Sequence, residues 1–362
     1  MPNTVRASVQ TGPRTHELRE LPRPRIAEDD ALLRVEACGV CGSDVEQFEG
    51  GGRGGPAIPG HEPLGAIEEI GPAAAARWGV KAGDRVAVES YLPCRACDMC
   101  LRGELMSCRT GRFSYGYTSL DTAPALWGGY AEYLYLHPNT LLHKVRGDIP
   151  AEVAVLYNPL GAGVRWASHL GGVKDGDTVL ILGTGQRGIT SVIAARASGA
   201  ATVIVTGLAR DAEKLALARE FGANHTINVE AEDTVARVRE ITDGKLCYVV
   251  VDVTPLALQP VNDAIECVRH NGRVVLAGLK GRKPLQFSPD AIIQKGCTVV
   301  GAFGVDSPAY AEAIKIIESG RFPLEKLHTH TFSLAETARA IETLSGHHPG
   351  RTAVCVSVHP HL

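Results

Sequence analysis

The sharpest chemistry in this sequence is a run of thiols, Cys94-x2-Cys97-x2-Cys100-x7-Cys108. Four thiolates so close together can close a tetrahedron around one zinc ion, leaving no open position for catalysis. The ion would then hold together a short lobe that has no hydrophobic core of its own. An iron–sulfur cluster is the alternative reading of closely spaced cysteines. A looser set stands upstream, with Cys41 in CGVCGSD and His61-Glu62 in PGHEPLG. Cys, His and Glu can hold a zinc ion whose fourth position stays open to water or substrate, as Lewis-acid catalysis needs. A Gly-His-Glu triplet alone is weak, since a lone His before Glu is more often structural. Nineteen residues separate Cys41 from His61, so only the fold can bring them together. Cys38, Cys247, Cys267, Cys297 and Cys355 lie among apolar residues and read as small core side chains.

The third motif is Gly183-Thr184-Gly185-Gln186-Arg187-Gly188, which fits G-x-G-x-x-G. It follows the apolar run TVLILG and opens a helical pattern, the context that makes it a dinucleotide fingerprint. The pyrophosphate of a nicotinamide cofactor would then sit at the helix N-terminus, where free N–H groups and the helix dipole favour an anion. NAD-binding versions end the next strand in an acid that holds the ribose 2′-hydroxyl. Here that strand, TVIVTG, ends at Gly207, with Arg210 three residues on and Asp211 beside it. A small residue leaves room for a 2′-phosphate, and Arg pairs with one. The cofactor is therefore NAD or NADP, with a slight lean to NADP. An acid placed at Gly207 is expected to turn the preference toward NAD, unless Asp211 already reaches the ribose.

These motifs need two kinds of scaffold. Before residue 150 the chain reads as short strands and turns: ALLRVEACGV, PLGAIEEIG, DRVAVES and YAEYLYL between Gly and Pro. After it, the strands 178–183, 202–207, 248–253, 273–279 and 298–304 alternate with helical patterns, which predicts a doubly wound parallel sheet. A return to β-rich texture near the end predicts a discontinuous first domain, 1–157 plus 308–362, with a metal lobe at 90–112. The second domain is 158–307. The chain has 362 residues with 37 Lys+Arg against 40 Asp+Glu, so no large basic face advertises nucleic acid. No run is long and apolar enough for a membrane span, and the first residues carry no apolar leader. Thiols kept for metal suggest a reducing, cytoplasmic setting.

The motifs together resemble the zinc-containing medium-chain dehydrogenase/reductase family, especially its sorbitol, butanediol and threonine dehydrogenase branches. The resemblance runs through CGVCGSD, PGHEPLG, the four-cysteine lobe, GGYAEY (128–133), NPLGAG (158–163), GTGQRG, VDVT (251–254), RVVLAGL and GRTAVCV. It implies an α/β fold with a GroES-like β-rich catalytic domain and a Rossmann domain. It implies two Zn2+ ions per chain, the catalytic one at Cys41, His61 and Glu62. Ser43 would bond the substrate oxygen and start a proton relay. Val253, Ala277, Gly278, Leu279 and Phe303 would lie on the cofactor side, and Arg351 matches a late basic residue that approaches the cofactor. The activity implied is hydride transfer between NAD(P) and a secondary alcohol, polyol or ring alcohol, or the matching ketone. A homodimer or homotetramer is implied, joined through the TVVGAFG edge. A zinc-free quinone or enoyl reductase, or a cofactor-binding protein without turnover, is the alternative.

Two positions depart from the polyol-branch pattern. Asn158 stands where a carboxylate precedes Pro-Leu, and a neutral amide is a poor zinc ligand. Glu46 stands where relatives carry His, so the usual relay has either a carboxylate or a merely solvated group. Phe113, Tyr115, Tyr117, Trp127 and Phe303 could form an apolar pocket or simply pack a core.

Overall fold

The structure is a computed structural model describing residues 3–51, 55–109, 113–346 and 352–362. The chain divides into two units, 1–158 with 324–362, and 159–323.

The first unit is built on the strand Ala31–Val40, whose run ALLRVEACGV is buried along most of its length. It sits inside a seven-stranded sheet, antiparallel to Glu62–Ile70 on one side and to Cys355–His359 on the other. That second pairing sets Val358 against Cys38 and Val356 against Val40, which makes the domain discontinuous. Leu33, Val86, Trp127, Tyr130 and Val356 share its core. The two ladder partners matter for chemistry because of where they end. Cys41 follows the first strand and caps the helix Gly42–Gly50, while Glu62 opens the next strand, opposite Gly39.

The second unit is a six-stranded parallel sheet in the order His225–Asn228, Thr202–Gly207, Thr178–Leu182, Cys247–Asp252, Val268–Leu276, Thr298–Gly301. By chain order this is 3-2-1-4-5-6, with the order reversing at the Thr178 strand, where doubly wound sheets bind dinucleotides. Leu180, Ile204, Val250 and Val274 form its core. The strand His225–Asn228 is absent from the sequence reading because HTIN is short and half polar.

The expected return to the first domain at residue 308 is corrected to 324. The helix Ser307–Glu318 buries Ala309, Tyr310, Ala313, Ile314 and Ile317 within the second unit. Its Glu312 carboxylate lies 2.8 Å from the imidazole of His169, and its N-capping Asp306 pairs with Arg165. Both partners lie on the π-helical segment Val164–Leu170. An amphipathic helix goes with the apolar face it can cover, and the change of texture in the sequence marks only where that helix begins. Among the described residues no helix is long and apolar enough to cross a membrane.

Candidate active site and metal centres

The four lobe cysteines converge: their sulfurs all lie within 4.8 Å of one another. Cys94 and Cys100 stand 3.9 Å apart and Cys97 and Cys108 4.0 Å, close to the edge of about 3.8 Å for a tetrahedron of four 2.3 Å zinc–sulfur bonds. Backbone amides already point at the sulfurs, with Cys97 N–H donating to Cys94 Sγ at 3.3 Å and Cys94 N–H to Cys108 Sγ at 3.3 Å. Such donors favour the thiolate form, and at Cys97 the backbone N–H groups of Arg109 and Cys100 lower the pKa in the same way. Burial and the neighbouring thiols push Cys100 up to about 12, because the cluster cannot shed every proton without a cation. The donor set fits a closed zinc site. No disulfide joins any of the ten cysteines.

Cys41, His61 and Glu62 also offer three ligand atoms within 4.8 Å of one another, and all three residues are buried. The antiparallel ladder does this, because it lays the end of one strand against the start of the next. Gly39 makes the room: a Cβ there would stand 2.4 Å from Glu62 Oε2. The sequence reading missed Asp44. Its carboxylate accepts the Cys41 N–H at 2.8 Å and lies 3.3 Å from His61 Nδ1. That fixes the imidazole so that Nε2 faces Glu62 Oε1 at 3.9 Å and Ser43 Oγ at 3.3 Å. A carboxylate behind a ligating His is the usual support of such a ligand. The legible signal was Asp three positions after Cys41, the acceptor place of a capping box at a helix N-terminus. Burial pulls the His61 pKa down, but Tyr117 and Asp44 outweigh it and hold the imidazole well above its ordinary value. A metal at Nε2 must displace that proton. The donor set, with only three protein ligands, fits a zinc site with one open position.

In the second unit the three glycines of the turn have three different reasons. Gly183 adopts φ +106°, the left-handed side. Gly185 faces open space, the approach a ligand needs. A Cβ on Gly188 would sit 2.0 Å from Gly183 O, so helix and strand close tightly there. Thr184 and Gln186 are buried, and the Arg187 guanidinium lies 5.9 Å from the Trp166 ring centroid. The helix Gln186–Ala197 presents its N-terminus to this space, so the turn fits a pyrophosphate.

A family model described as "Zinc-binding dehydrogenase" matches residues 188–319, and one described as "Alcohol dehydrogenase GroES-like domain" matches 27–147. The "Probable alcohol dehydrogenase adh" of Mycobacterium tuberculosis is 47% identical over 352 residues, 96% of each chain. The chain belongs to the zinc-type alcohol dehydrogenase family. As a member it is a zinc-dependent oxidoreductase of alcohols that works with NAD(P). The erythritol/L-threitol dehydrogenase of Mycolicibacterium smegmatis is 32% identical over 99% of each chain. A Sinorhizobium meliloti protein, described as a zinc-binding dehydrogenase and solved bound to NADP, superposes with TM-score 0.87. It is 26% identical and is covered over 100% of its chain and 99% of this one.

The other positions of the sequence reading fall in different surroundings. Glu46 lies exposed on the helix Gly42–Gly50, and no bond joins it to Ser43 or to the Cys41–His61–Glu62 set. Tyr117 stands closer to that set: its ring is 5.5 Å from that of His61, and its hydroxyl bonds Ser43. Tyr115 and Trp127 are core residues. Asn158 is buried. Val253, Ala277 and Gly278 are half-buried at the carboxyl end of the parallel sheet, and Leu279 and Phe303 are exposed. Arg351 and the side chain of Phe113 lie outside the described residues.

Gly207 is closely packed. A Cβ there would press on Thr184 Oγ1 at 2.7 Å and on Leu215 Cδ2 at 3.2 Å. An acid at Gly207 would therefore have to move the Thr184 hydroxyl as well as place a charge at the strand end.

Proposed function

We propose that this enzyme interconverts a secondary alcohol or polyol with its ketone, with catalytic zinc held by Cys41, His61 and Glu62 and a second, structural zinc in the Cys94 lobe. One observation carries that reading: a thiol, an imidazole and a carboxylate meet in a buried place with their ligand atoms within 4.8 Å. The zinc-free alternative gives no reason for such a set. When bound, zinc supplies Lewis acidity to the alcohol oxygen and NAD(P)+ supplies the hydride acceptor. Asp44 keeps the His61 ring in the orientation that aims Nε2 inward. Ser43 Oγ would take the hydroxyl proton while passing its own to the Tyr117 oxygen it bonds, and Tyr117 would release its hydroxyl proton in turn. The overall change would convert alcohol and NAD(P)+ into ketone, NAD(P)H and one proton. Burial excludes water around the ligand set and strengthens each of these contacts. Metal analysis of the purified enzyme should find two zinc ions per chain, with NAD(P)H absorbance rising across a panel of secondary alcohols and polyols. One ion, or iron, would sink the metal assignment.

For the cofactor, the loop after Gly207 supports NADP. Asp211 accepts the Leu208 N–H at 3.1 Å and pairs with Lys214 at 3.5 Å, while Glu230 accepts the Ala209 N–H at 2.6 Å. Both acids are committed to the loop, and Arg210 is exposed. Arg210→Ala should weaken NADPH about tenfold and NADH hardly at all, the scale of one charge-assisted hydrogen bond.

The strand Thr298–Gly301 ends the parallel sheet, with Val299 and the neighbouring Ile293 exposed. An uncovered edge of this kind supports pairing with a second copy, giving a homodimer or homotetramer. A monomer by light scattering would overturn it. Ten cysteines without a disulfide support a cytoplasmic setting.

A further inference from the structure

The strand Cys247–Asp252 ends in a carboxylate with no solvent exposure, Asp252, beside the last residue of the strand that feeds the glycine turn. The mechanism above makes no use of it. Its Oδ1 accepts the Thr254 N–H at 2.9 Å and the Thr254 hydroxyl at 2.5 Å. Its Oδ2 lies 2.7 Å from the ammonium of Lys280, which arrives from the next strand-end loop. Lys280 Nζ also donates to Thr254 O at 2.6 Å and to Thr254 Oγ1 at 3.0 Å. The ammonium thus donates to two oxygens of Thr254 and faces the buried Asp252 carboxylate as its ion partner. Backbone bonds complete the knot: Ala277 and Gly278 N–H groups donate to Asp252 O at 2.9 and 3.1 Å, and Leu256 N–H to Leu279 O at 2.8 Å.

A buried ion pair is poor evidence of stability, because desolvating two charges offsets most of their attraction. What this one does is geometric. It ties the loops 253–256 and 277–281 to each other at the carboxyl end of the parallel strands, the edge where such sheets take ligands. It also sets their height over the glycine turn, since Thr254 Cγ2 and Val253 Cγ2 stand 3.0 and 3.2 Å from where a Cβ of Gly183 would be. Gly278 is equally constrained, its Cβ position lying 2.2 Å from Thr254 O.

We infer that Lys280, acting through Asp252 and Thr254, is a positioning residue for the nicotinamide half of the cofactor: it holds Val253 and Ala277–Leu279 in the shape that receives the ring. The inference rests on the expectation, carried by the family resemblance, that those residues lie on the cofactor side.

The test compares wild type, Lys280→Met, Lys280→Arg and the double variant Asp252→Asn/Lys280→Met. Each is titrated with NADH, NADPH and ADP-ribose, which lacks the nicotinamide, and melted without ligand. Lys280→Met should weaken NADH and NADPH about tenfold and ADP-ribose less than about twofold, with Lys280→Arg recovering part of the loss. The double variant, with no unpaired buried charge, should regain its melting temperature while dinucleotide binding stays weak. Unchanged NADH affinity in Lys280→Met, an equal loss for ADP-ribose, or recovery of binding together with stability in the double variant would each overturn the positioning role. Wild type failing to bind NADH or NADPH would instead remove the cofactor reading on which it rests.

Discussion

The two metal sets of this enzyme are built in opposite ways. The Cys94 lobe draws four ligands of one kind from fifteen consecutive residues, most of them half-exposed, and uses local turns and backbone N–H groups to aim them. The Cys41–His61–Glu62 set draws three candidate ligands of different kinds from where one strand ends and the next begins, all buried, and relies on a ladder, a glycine and Asp44 to aim them. The first can form around its ion before the rest of the domain exists. The second exists only once the sheet is made. Closure with four thiolates suits a structural ion, and three mixed ligands with a supporting carboxylate suit a catalytic one.

That contrast can be broken by mutation. Cys41→Ala should have the largest effect on chemistry, cutting turnover by about a thousandfold or more while zinc content falls from two to one. Circular dichroism and the melting temperature should barely move, and a large drop in either would mean that both sites are structural. Cys97→Ala should do the reverse. It should lower the melting temperature by about ten degrees or more, since a structural zinc contributes folding free energy directly. Unchanged melting in that variant would reduce the lobe to an ornament.

The remaining predictions sharpen the comparison. Asp44→Asn keeps the shape of the side chain but loses its charge, so the mixed site should release zinc to a chelator about ten- to a hundredfold more readily. The lobe should hold its ion unchanged in the same sample, read by a colorimetric thiol-zinc assay. Gly39→Ala should give the smallest change, a several-fold loss of zinc affinity at the mixed site, because the new methyl displaces Glu62 Oε2 from 2.4 Å. Equal zinc affinity in Gly39→Ala would show that Glu62 does not hold the ion.

Much of this was readable before the fold was known. The lobe's spacing, the glycine turn and the alternating strands of the second unit are local patterns, and local patterns depend on neighbours in sequence. Cys41, His61 and Glu62 were readable as candidate ligands, though their meeting was not. Asp44, Tyr117, Lys280 and the packing at Gly207 left almost no trace, because each acts across the fold. Nothing in TGLARD tells that a Cβ at Gly207 would strike Thr184, twenty-three positions back.

The sequence by itself determined the kinds of donor, the glycine-rich turn and the two scaffolds, since side-chain chemistry and backbone periodicity are properties of short segments. Only the tertiary structure decided which strand end faces which, where Lys280 finds its carboxylate, and that the helix Ser307–Glu318 belongs with the parallel sheet. Those outcomes depend on burying one face of an element against another. That free energy is shared among residues far apart in the chain, so no window of sequence contains it.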